Sequence, residues 1–483
     1  MKQRLLITIF FFSLGIQLFS QNSYQLVISS NNDEVCRDLA ILPDGGLIMT
    51  YISRIEYSSA FSCHIIRINA LGEIINDVSI SNPDGDCIIH NILSIGGGSF
   101  LGLGEWKHQG GNSEIWYIGF DTNLSIQWEK KYLIQANWIA RLHSFIDSNG
   151  YIVSGAQISP VQWILNSGML FITATPSGDT LQSVYKYSGD YYPIFDFFNQ
   201  GANYKALARE NIYSLSSILT LDSSLNIISS YPIPYQISNC MTGKPISDTS
   251  MYIAGNGIDG VAGNDIGIVK LNSPNTLSLS NHFGMAGDTV DYGGADQSMD
   301  FIDPNNIFVA GTSNIDLTYG YYSTAPAWYN LSNLDSLLNI RWTKYYFGDA
   351  CYVLRNVTAT PDGGVILSGT RYDYENPGNK LDICILKVDH NGLFTGLEEN
   401  PQAKTHDAII YPNPGIEYLN IQSGPQITGA EFYLFDVNGK AIMIEKITNI
   451  LLKVNTAYLP AGTYPWQIVF KNKVIESGKW VKK

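Results

Sequence analysis

The side chains best suited to ligand recognition in this chain are aromatic. Tyrosine is abundant, with 30 residues, and the densest aromatic segment, residues 317–328, reads LTYGYYSTAPAW. Exposed Tyr and Trp rings combine a large apolar face with a polar atom, which suits sugars and protein partners. We therefore predict an aromatic ligand-binding surface, the alternative for any one ring being that it packs in the core. The candidates are Trp106, Trp163, Tyr319, Tyr321, Tyr322, Trp328, Tyr372 and Tyr374.

The sequence carries none of the common catalytic signatures. It has no Gly-x-Ser-x-Gly elbow, His-Glu-x-x-His, P-loop or Cys-x-x-Cys motif, and its seven histidines are scattered without metal-ligand spacing. Acidic loops could supply the two carboxylates of a glycosidase, about 5 to 9.5 Å apart, but nothing selects one pair. We therefore assign no catalytic residue and favour a protein without catalysis, while catalysis stays open as the alternative.

Two short acidic loops could hold a calcium ion. One runs from Asp259 to Asp265 and reads DGVAGND, and the other is DGD at 84–86. Calcium requires about 6 to 8 oxygen ligands, and the alternative is a solvated loop. Asp259 and Asp265 are the metal candidates, and no other cofactor is expected.

The balance of charge excludes one class of partner. The chain has 29 Lys and Arg against 43 Asp and Glu, a formal net charge of −14. Binding to nucleic acid requires a basic surface that neutralises phosphates. We therefore expect no nucleic-acid partner.

A repeat of about fifty residues organises the middle of the chain. The pattern PDGG, a strand, a loop and a second strand occurs near both ends of this region, at 43–69 and 361–389. A period of this length is typical of propellers, which have 4 to 8 four-stranded blades. Seven turns align, at Asp44, Gly96, Ser148, near Gln200, Asp248, Pro304 and Asp362.

These repeats predict an all-β fold, a seven-bladed β-propeller followed by a small C-terminal β-sandwich. The propeller spans 21–397, and the strand at 24–29 closes the last blade, which lacks a fourth strand of its own. A polar linker at 398–407 leads to the last domain, 408–483. Within a blade the first and third turns lie on one face and are short, so the longer aromatic loops lie together on the other face.

The N-terminus has the features of a secretory signal peptide. Residues 1–20 contain two basic residues, an apolar run too short to span a bilayer, and Ser20 before the expected cleavage point. No transmembrane segment is expected. In an oxidising compartment the six cysteines could pair. We hypothesise one bridge within the first blade (Cys36, Cys63) and one within the last (Cys351, Cys384), the alternative being buried thiols.

Strand and turn motifs fill the last 75 residues or so. They read YPNP at 411–414, FYLFDVNGK at 432–440, AYLPAGTYPWQIVF at 457–470 and a lysine-rich end. DVNG is a hairpin turn between alternating strands. In this order the motifs resemble the type A C-terminal sorting domain of type IX secretion. The matching residues are Pro412, Asn413, Pro414, Asp436, Asn438, Gly439, Lys440, Gly462, Tyr464 and Lys479.

This resemblance implies a route and a location. The route is Sec-dependent transit to the periplasm of a bacterium of the Bacteroidota type, then export by the type IX machinery, its expected partner. The location is the extracellular space or the outer-membrane surface. Two residues depart from the family pattern, Pro465 after Tyr464 and Trp480 in the last strand.

Three functions fit the sequence. The first is a secreted or surface-displayed propeller that binds a glycan or a protein through its aromatic loop face, without catalysis. The second is a polysaccharide hydrolase or lyase on the same scaffold, which requires a deep central pocket with close carboxylates. The third is a structural or adhesive surface protein. Fold does not choose among them.

Overall fold

The structure is a computed structural model of the 483-residue chain. It describes residues 23–55, 60–159, 168–187, 193–209, 216–258, 264–272, 276–285, 290–316, 318, 320–376, 380–394, 408–423, 427–436, 440–471 and 473–483. The predicted signal peptide at 1–20 and linker at 398–407 lie outside these residues, as do Trp163, Tyr319, Asp259, Asn438 and Gly439.

Seven antiparallel sheets form the propeller. Strand β1 is Tyr24–Ile28. Blade 1 contains β2 Asp33–Ile41, β3 Leu47–Arg54, β4 Ser62–Ile68 and β5 Ile74–Ile80; blade 2 contains β6 Cys87–Gly96, β7 Ser99–Lys107, β8 Ser113–Asp121 and β9 Ile126–Leu133. Blade 3 contains β10 Trp138–Ile146, β11 Ile152–Ser159, β12 Gly168–Ala174 and β13 Thr180–Tyr187; blade 4 contains β14 Ile194–Gln200, β15 Asn203–Arg209, β16 Ser216–Leu221 and β17 Ile227–Pro232.

The remaining blades complete the ring. Blade 5 contains β18 Ile237–Ser247, β19 Ser250–Ile258, β20 Asn264–Asn272 and β21 Thr276–Phe283. Blade 6 contains β22 Tyr292–Gly293, β23 Met299–Asp300, β24 Ile307–Ser313, the 3₁₀ helix Gly320–Tyr322, β25 Trp328–Leu334 and β26 Ile340–Phe347. Blade 7 contains β27 Cys351–Ala359, β28 Val365–Tyr372 and β29 Leu381–Val388. Strand β1 pairs with β29, from Tyr24 opposite Lys387 to Ile28 opposite Ile383.

The first strand of each blade lies at the centre of the ring. These strands contact one another from blade to blade, and β27 contacts β2, so the circle is continuous. The second strands are buried along most of their length, as in β3, whereas a fourth strand such as β5 is largely exposed. Apolar side chains between adjacent blades form the core.

The central strands are irregular where polar residues face the axis. A register shift interrupts the pairing of β2 between Cys36 and Leu39, of β14 between Ile194 and Asp196, and of β27 between Leu354 and Asn356. Strands β6, β10 and β18 carry similar shifts, and residues 294–298 separate β22 from β23. Such bulges bend a strand and turn its side chains in a new direction.

Two facing sheets form the C-terminal domain. The smaller contains β30 Ala408–Tyr411, β31 Tyr418–Ser423 and β34 Leu451–Asn455. The larger contains β32 Glu431–Phe435, β33 Ala441–Lys446, β35 Gly462–Phe470 and β36 Lys473–Lys482. One apolar core joins them. The domain also contacts the propeller, since the Tyr411 hydroxyl donates to the Phe347 carbonyl and its ring packs edge-on at 5.5 Å from Phe347.

The disulfide hypothesis is wrong for this structure. All six cysteines are free thiols, including Cys36, Cys63, Cys351 and Cys384, and all are buried. They fill space among apolar side chains, as small hydrophobic residues do. Burial is the main cause that raises the pKa of the Cys36 and Cys351 thiols to about 11.

Candidate binding site at the centre of the propeller

A polar cavity of about 230 Å³ lies among the central strands. All seven blades contribute to its wall, and the register shifts described above lie beside the side chains that line it. The lining residues are Arg37, Asp38, His90, Asn91, His143, Ser144, Asp196, Phe197, Thr242, Gly243, Lys244, Asp296, Gln297, Asp300 and Asn356.

The aspartates of the cavity connect neighbouring blades. Asp38 of blade 1 accepts the Ile92 N–H of blade 2 at 2.7 Å, and Asp196 of blade 4 accepts the Gly243 N–H of blade 5 at 2.8 Å. Asp300 of blade 6 accepts the Ala359 N–H of blade 7 at 2.8 Å. The same contact thus recurs at three boundaries, and it gives a backbone donor of the next blade an acceptor away from water.

The other oxygen of each of these aspartates also has a partner. Leu39 N–H donates to Asp38 at 2.8 Å, Phe197 N–H donates to Asp196 at 2.7 Å, and Lys244 forms an ion pair with Asp300. Burial is the main cause that raises the pKa of Asp38 and Asp196 to about 6. These carboxylates are structural acceptors with both oxygens engaged.

Two histidines line the same cavity. Burial lowers the pKa of His90 to about 3, with a further contribution from Arg37. Burial also lowers the pKa of His143 to about 4, with Arg141 as the second cause. Both imidazoles are therefore neutral at physiological pH, and each can offer one donor and one acceptor without adding charge.

Three arginines on the central strands surround Asp296, in the channel along the propeller axis that contains the cavity. They are Arg37 on β2, Arg141 on β10 and Arg355 on β27, hereafter the arginine cluster. Arg355 forms an ion pair with Asp296. Burial acts to raise the pKa of Asp296, but the electrostatic effect of Arg355, Arg141 and Arg37 holds it below its ordinary value.

Tyr321 connects this channel to the loop face. Nη1 of Arg355 donates to the Tyr321 hydroxyl at 2.6 Å, and the guanidinium carbon lies 5.9 Å from the ring centre. Tyr321 belongs to the 3₁₀ helix in the loop between β24 and β25. The loop predicted to bind a ligand thus lies next to the arginine cluster.

Three more of the predicted aromatic residues lie beside Tyr321. Tyr322 is 37% exposed and meets Tyr372 edge-on, with ring centres 5.3 Å apart. Tyr321, Tyr372 and Tyr374 pack against one small apolar cluster between blades 6 and 7. We refer to Tyr321, Tyr322, Tyr372 and Tyr374 as the tyrosine patch. Burial raises the pKa of Tyr322, whose hydroxyl interacts with Arg54 and Asp33 of blade 1.

The other predicted aromatic residues lie elsewhere. Trp106 packs edge-on against buried Trp116 in blade 2, with ring centres 5.2 Å apart, and Lys131 lies 3.5 Å above its ring. Trp328 packs against Gly348 within blade 6. The structure therefore does not bring Trp106 and Trp328 to the tyrosine patch, and both rings serve blade packing.

The structure describes one of the two predicted calcium residues, Asp265, which is the second residue of β20. Its carboxylate lies near Asp291 and 4.0 Å from His282 Nε2. Among the described residues there is no group of three or more His, Cys, Asp or Glu side chains placed to hold a metal ion. Calcium binding by the 259–265 loop remains a prediction.

The sorting-signal residues hold the last strand in place. Asn413 accepts the Val481 N–H at 2.8 Å and donates to the Lys479 carbonyl at 3.0 Å. Trp480 is fully buried, and its Nε1 donates to the Pro412 carbonyl at 2.7 Å. Pro414 follows Asn413 through a cis peptide bond. The PNP motif is thus a clamp on β36.

The remaining signal residues shape the turns of the larger sheet. Asp436 accepts the Lys440 N–H at 2.9 Å, a contact that joins the end of β32 to the residue before β33. Gly462 opens β35, and Tyr464 donates to the Pro460 carbonyl at 2.8 Å. Pro465 is tolerated because β35 pairs with β32 only from Trp466 onward, so Pro465 lies where β35 has no neighbour on that side.

The C-terminal domain matches a known family of domains. Residues 409–483 match the secretion system C-terminal sorting domain. This type IX sorting domain points to export to the cell surface or the extracellular space. The described residues include no helix that is long and apolar enough to cross a membrane.

The propeller resembles solved structures in fold alone. The β-propeller domain of the Trilobed protease from Pyrococcus furiosus is 11% identical over 77% of this chain and 96% of that one, with a TM-score of 0.42. The AfRom2 CNH domain is 8% identical over 76% and 99%, with a TM-score of 0.43. The Pyrococcus horikoshii acylaminoacyl peptidase is 11% identical over 82% of this chain, which spans 58% of the peptidase, with a TM-score of 0.39. No curated protein matches the chain.

Sequence reasoning did not identify the arginine cluster, although a signal was present. Arg37, Arg141 and Arg355 each stand seven residues before an aligned turn position, at Asp44, Ser148 and Asp362. Charged residues at equivalent positions of a strand next to the axis would have indicated a shared wall.

Proposed function

We propose that this protein is a non-catalytic binding propeller, exported to the cell surface or released outside the cell, that captures a glycan or a protein through the tyrosine patch. Support for the route comes from the sorting domain at 409–483. By its resemblance, the route is Sec-dependent transit followed by type IX export in a bacterium of the Bacteroidota type.

The observation that carries the non-catalytic proposal is the engagement of the cavity carboxylates. Asp38 and Asp196 accept backbone N–H groups with both oxygens, while Asp300 and Asp296 form ion pairs with Lys244 and Arg355. A general acid or base must reach a proton of the substrate. A carboxylate that holds two blades together would have to give up those hydrogen bonds to do so, which argues against a hydrolase.

The tyrosine patch supports binding. Its rings come from the 3₁₀ helix and from the end of β28 with the residues that follow it, and Tyr322 is exposed while its neighbours are half-buried. Loops on a rigid scaffold are the usual position of binding residues, and such rings offer stacking area with few rotatable bonds. The patch thus has the composition of a recognition surface.

Binding to a glycan array and to native surface extracts tests this proposal. The wild type is compared with the double variant Tyr322→Ala/Tyr372→Ala and with Tyr151→Ala, which removes an exposed tyrosine from a short turn of the opposite face. We expect the double variant to lose about tenfold or more in affinity, because aromatic anchors dominate such contacts, and Tyr151→Ala to bind normally. Equal binding by all three proteins, or turnover of any bound glycan by the wild type, would refute the proposal.

A further inference from the structure

The arginine cluster carries more positive charge than its surroundings compensate. Arg355 is 6% exposed and is paired with Asp296. Among the residues that the structure describes, neither Arg37 nor Arg141 has a carboxylate within 4.0 Å. Burial is the first cause that lowers the pKa of Arg37, to about 10, and the charge of Arg355 is the second.

Several nitrogen atoms of this region are buried with no hydrogen-bond partner among the described residues. They are Nε of Arg37, Nη1 of Arg141, Nε of Arg355 and Nε2 of His90. Arg37 and His90 both line the cavity. Buried donors and cations are costly unless they are paired, so these atoms together point to a group that completes the site.

The chemistry of this missing group follows from the donors. Guanidinium groups bind planar or tetrahedral oxyanions through paired N–H donors and are weakly hydrated, which suits a partly buried site. The aspartates deeper in the cavity are already engaged and would repel a second anion among them. An anion is therefore favoured only at the level of Arg37, Arg141 and Arg355.

We propose that the arginine cluster binds the carboxylate or sulfate group of an acidic sugar whose neighbouring residues rest on the tyrosine patch. This inference rests on the proposed binding function and specifies its ligand class. Arg355 connects the two surfaces, because it contacts Tyr321 on one side and Asp296 on the other.

The size of the cavity sets how much of the ligand enters. Its volume of about 230 Å³ is below the range of roughly 300 to 1,000 Å³ of pockets that enclose whole small molecules. The cavity therefore holds one acidic sugar unit, and the rest of the chain extends over Tyr321, Tyr322 and Tyr372. The neutral His90 and His143 can bond the hydroxyls of that unit.

Calorimetric titration of the full mature chain tests the inference. The probes are a trigalacturonate, its fully methyl-esterified form, which keeps the shape without the charge, a sulfated galactose oligomer, and an array of other acidic and neutral glycans. The variants are Arg37→Gln and Arg141→Gln, neither of which breaks an ion pair. The matched control is Arg341→Gln, an exposed arginine on the outer strand β26.

We expect acidic glycans to bind more tightly than their neutral counterparts. Each cluster variant should lower that affinity about 10- to 100-fold, the usual effect of one hydrogen bond to a charged group, while Arg341→Gln leaves it unchanged. The carboxylate and sulfate probes distinguish the two sources of the oxyanion. Circular dichroism melting of each variant establishes that it is folded.

Different failures identify different errors. If neutral glycans bind as tightly as acidic ones, or if Arg37→Gln and Arg141→Gln bind acidic glycans like the wild type, the arginine assignment is wrong while the binding function stands. If neither acidic nor neutral glycans bind and a surface protein is captured instead, the acidic-sugar inference is wrong and the binding function survives with a protein partner. If nothing binds, both are wrong.

Discussion

Replacing Asp300 tests whether the cavity carboxylates are structural. Asp300 is 8% exposed, forms an ion pair with Lys244 and accepts the Ala359 N–H of the next blade. In Asp300→Asn the amide oxygen can still accept the Ala359 N–H, and Lys244 keeps its hydrogen bond to the Phe301 carbonyl at 2.6 Å. The variant therefore loses the ion pair and hydrogen bond with Lys244, whose ammonium group then faces the amide nitrogen of Asn.

The size of that loss follows from the burial of the two partners. A hydrogen bond between charged groups is worth about 1.5–3 kcal/mol, and removal of one partner of a fully buried pair costs about 3–5 kcal/mol. The Lys244 side chain is 35% exposed, so solvent screens part of the interaction. We expect the free energy of unfolding of the propeller to fall by about 2 kcal/mol.

Urea unfolding followed by tryptophan fluorescence measures this change. The control is Asp179→Asn, which breaks the ion pair with Lys130 at 2.5 Å on the propeller surface, where Asp179 is 58% exposed. We expect no measurable change for the control. Equal effects of the two variants would refute the burial argument, and loss of ligand binding by a fully stable Asp300→Asn protein would refute the structural role.

Three further predictions concern other parts of the chain. Burial raises the pKa of Glu105 to about 7, so the stability that its protonated form contributes is present below about pH 4.5 and is lost as the pH rises through 7. The variant Glu105→Gln keeps the hydrogen bonds from Ser113 and Ile139. It should unfold at a higher urea concentration than the wild type at pH 8 and at the same concentration at pH 4.5. A thiol reagent at pH 8 should modify none of the six buried cysteines in the native protein and all of them in denaturant, whereas fewer than six would indicate a bridge. Asn413→Ala removes both hydrogen bonds between Asn413 and β36, and we expect this variant to accumulate in the periplasm, as measured by cell fractionation. The control Tyr458→Ala, at an exposed position, should be exported normally.

The regular part of the fold follows from local rules. The turn before β3 needs a residue with positive φ, and Gly45 supplies it at +82°; Gly363 does the same before β28 at +85°. Alternating and buried apolar runs predict the strands around these turns. Short turns of this kind, repeated along the chain, were enough to predict a seven-bladed propeller, and the motifs after residue 408 were enough to predict the sorting domain.

The glycines of the second strands are required by the irregular central strands beside them. A Cβ atom on Gly255 would lie 2.0 Å from the Asn239 carbonyl oxygen, and one on Gly369 would lie 2.2 Å from that of Val353. Both carbonyls belong to central strands beside register shifts. The sequence shows the glycine, but the bulge that requires it is a tertiary feature, set by how seven strands converge on one axis.

The candidate site also depends in part on tertiary features that the sequence does not show. The neighbourhood of Tyr321, Tyr322, Tyr372 and Tyr374 could be predicted from their loop positions on one face of the propeller, while their role in binding stays a prediction. The positions of Asp38 and Asp196 in the cavity could not be predicted, since a single polar residue in an apolar strand is compatible with a bulge, with an edge strand or with a different strand register. Their roles depend on N–H groups of Ile92 and Gly243, which lie in the following blade.

The two charged levels of the channel differ in how their charges are compensated. Lys244 and Asp300 stand four residues before their aligned turns, whereas the three arginines stand seven before theirs, a separation of about 10 Å at roughly 3.3 Å per residue. At the level near the turns, Asp196 accepts two backbone N–H groups, and Asp300 accepts one and pairs with Lys244. At the level near the tyrosine patch, one aspartate faces three guanidinium groups. The unpartnered donors of Arg37, Arg141 and Arg355 among the described residues favour an anion at the second level, which is why a ligand should enter from the loop face with its acidic group first.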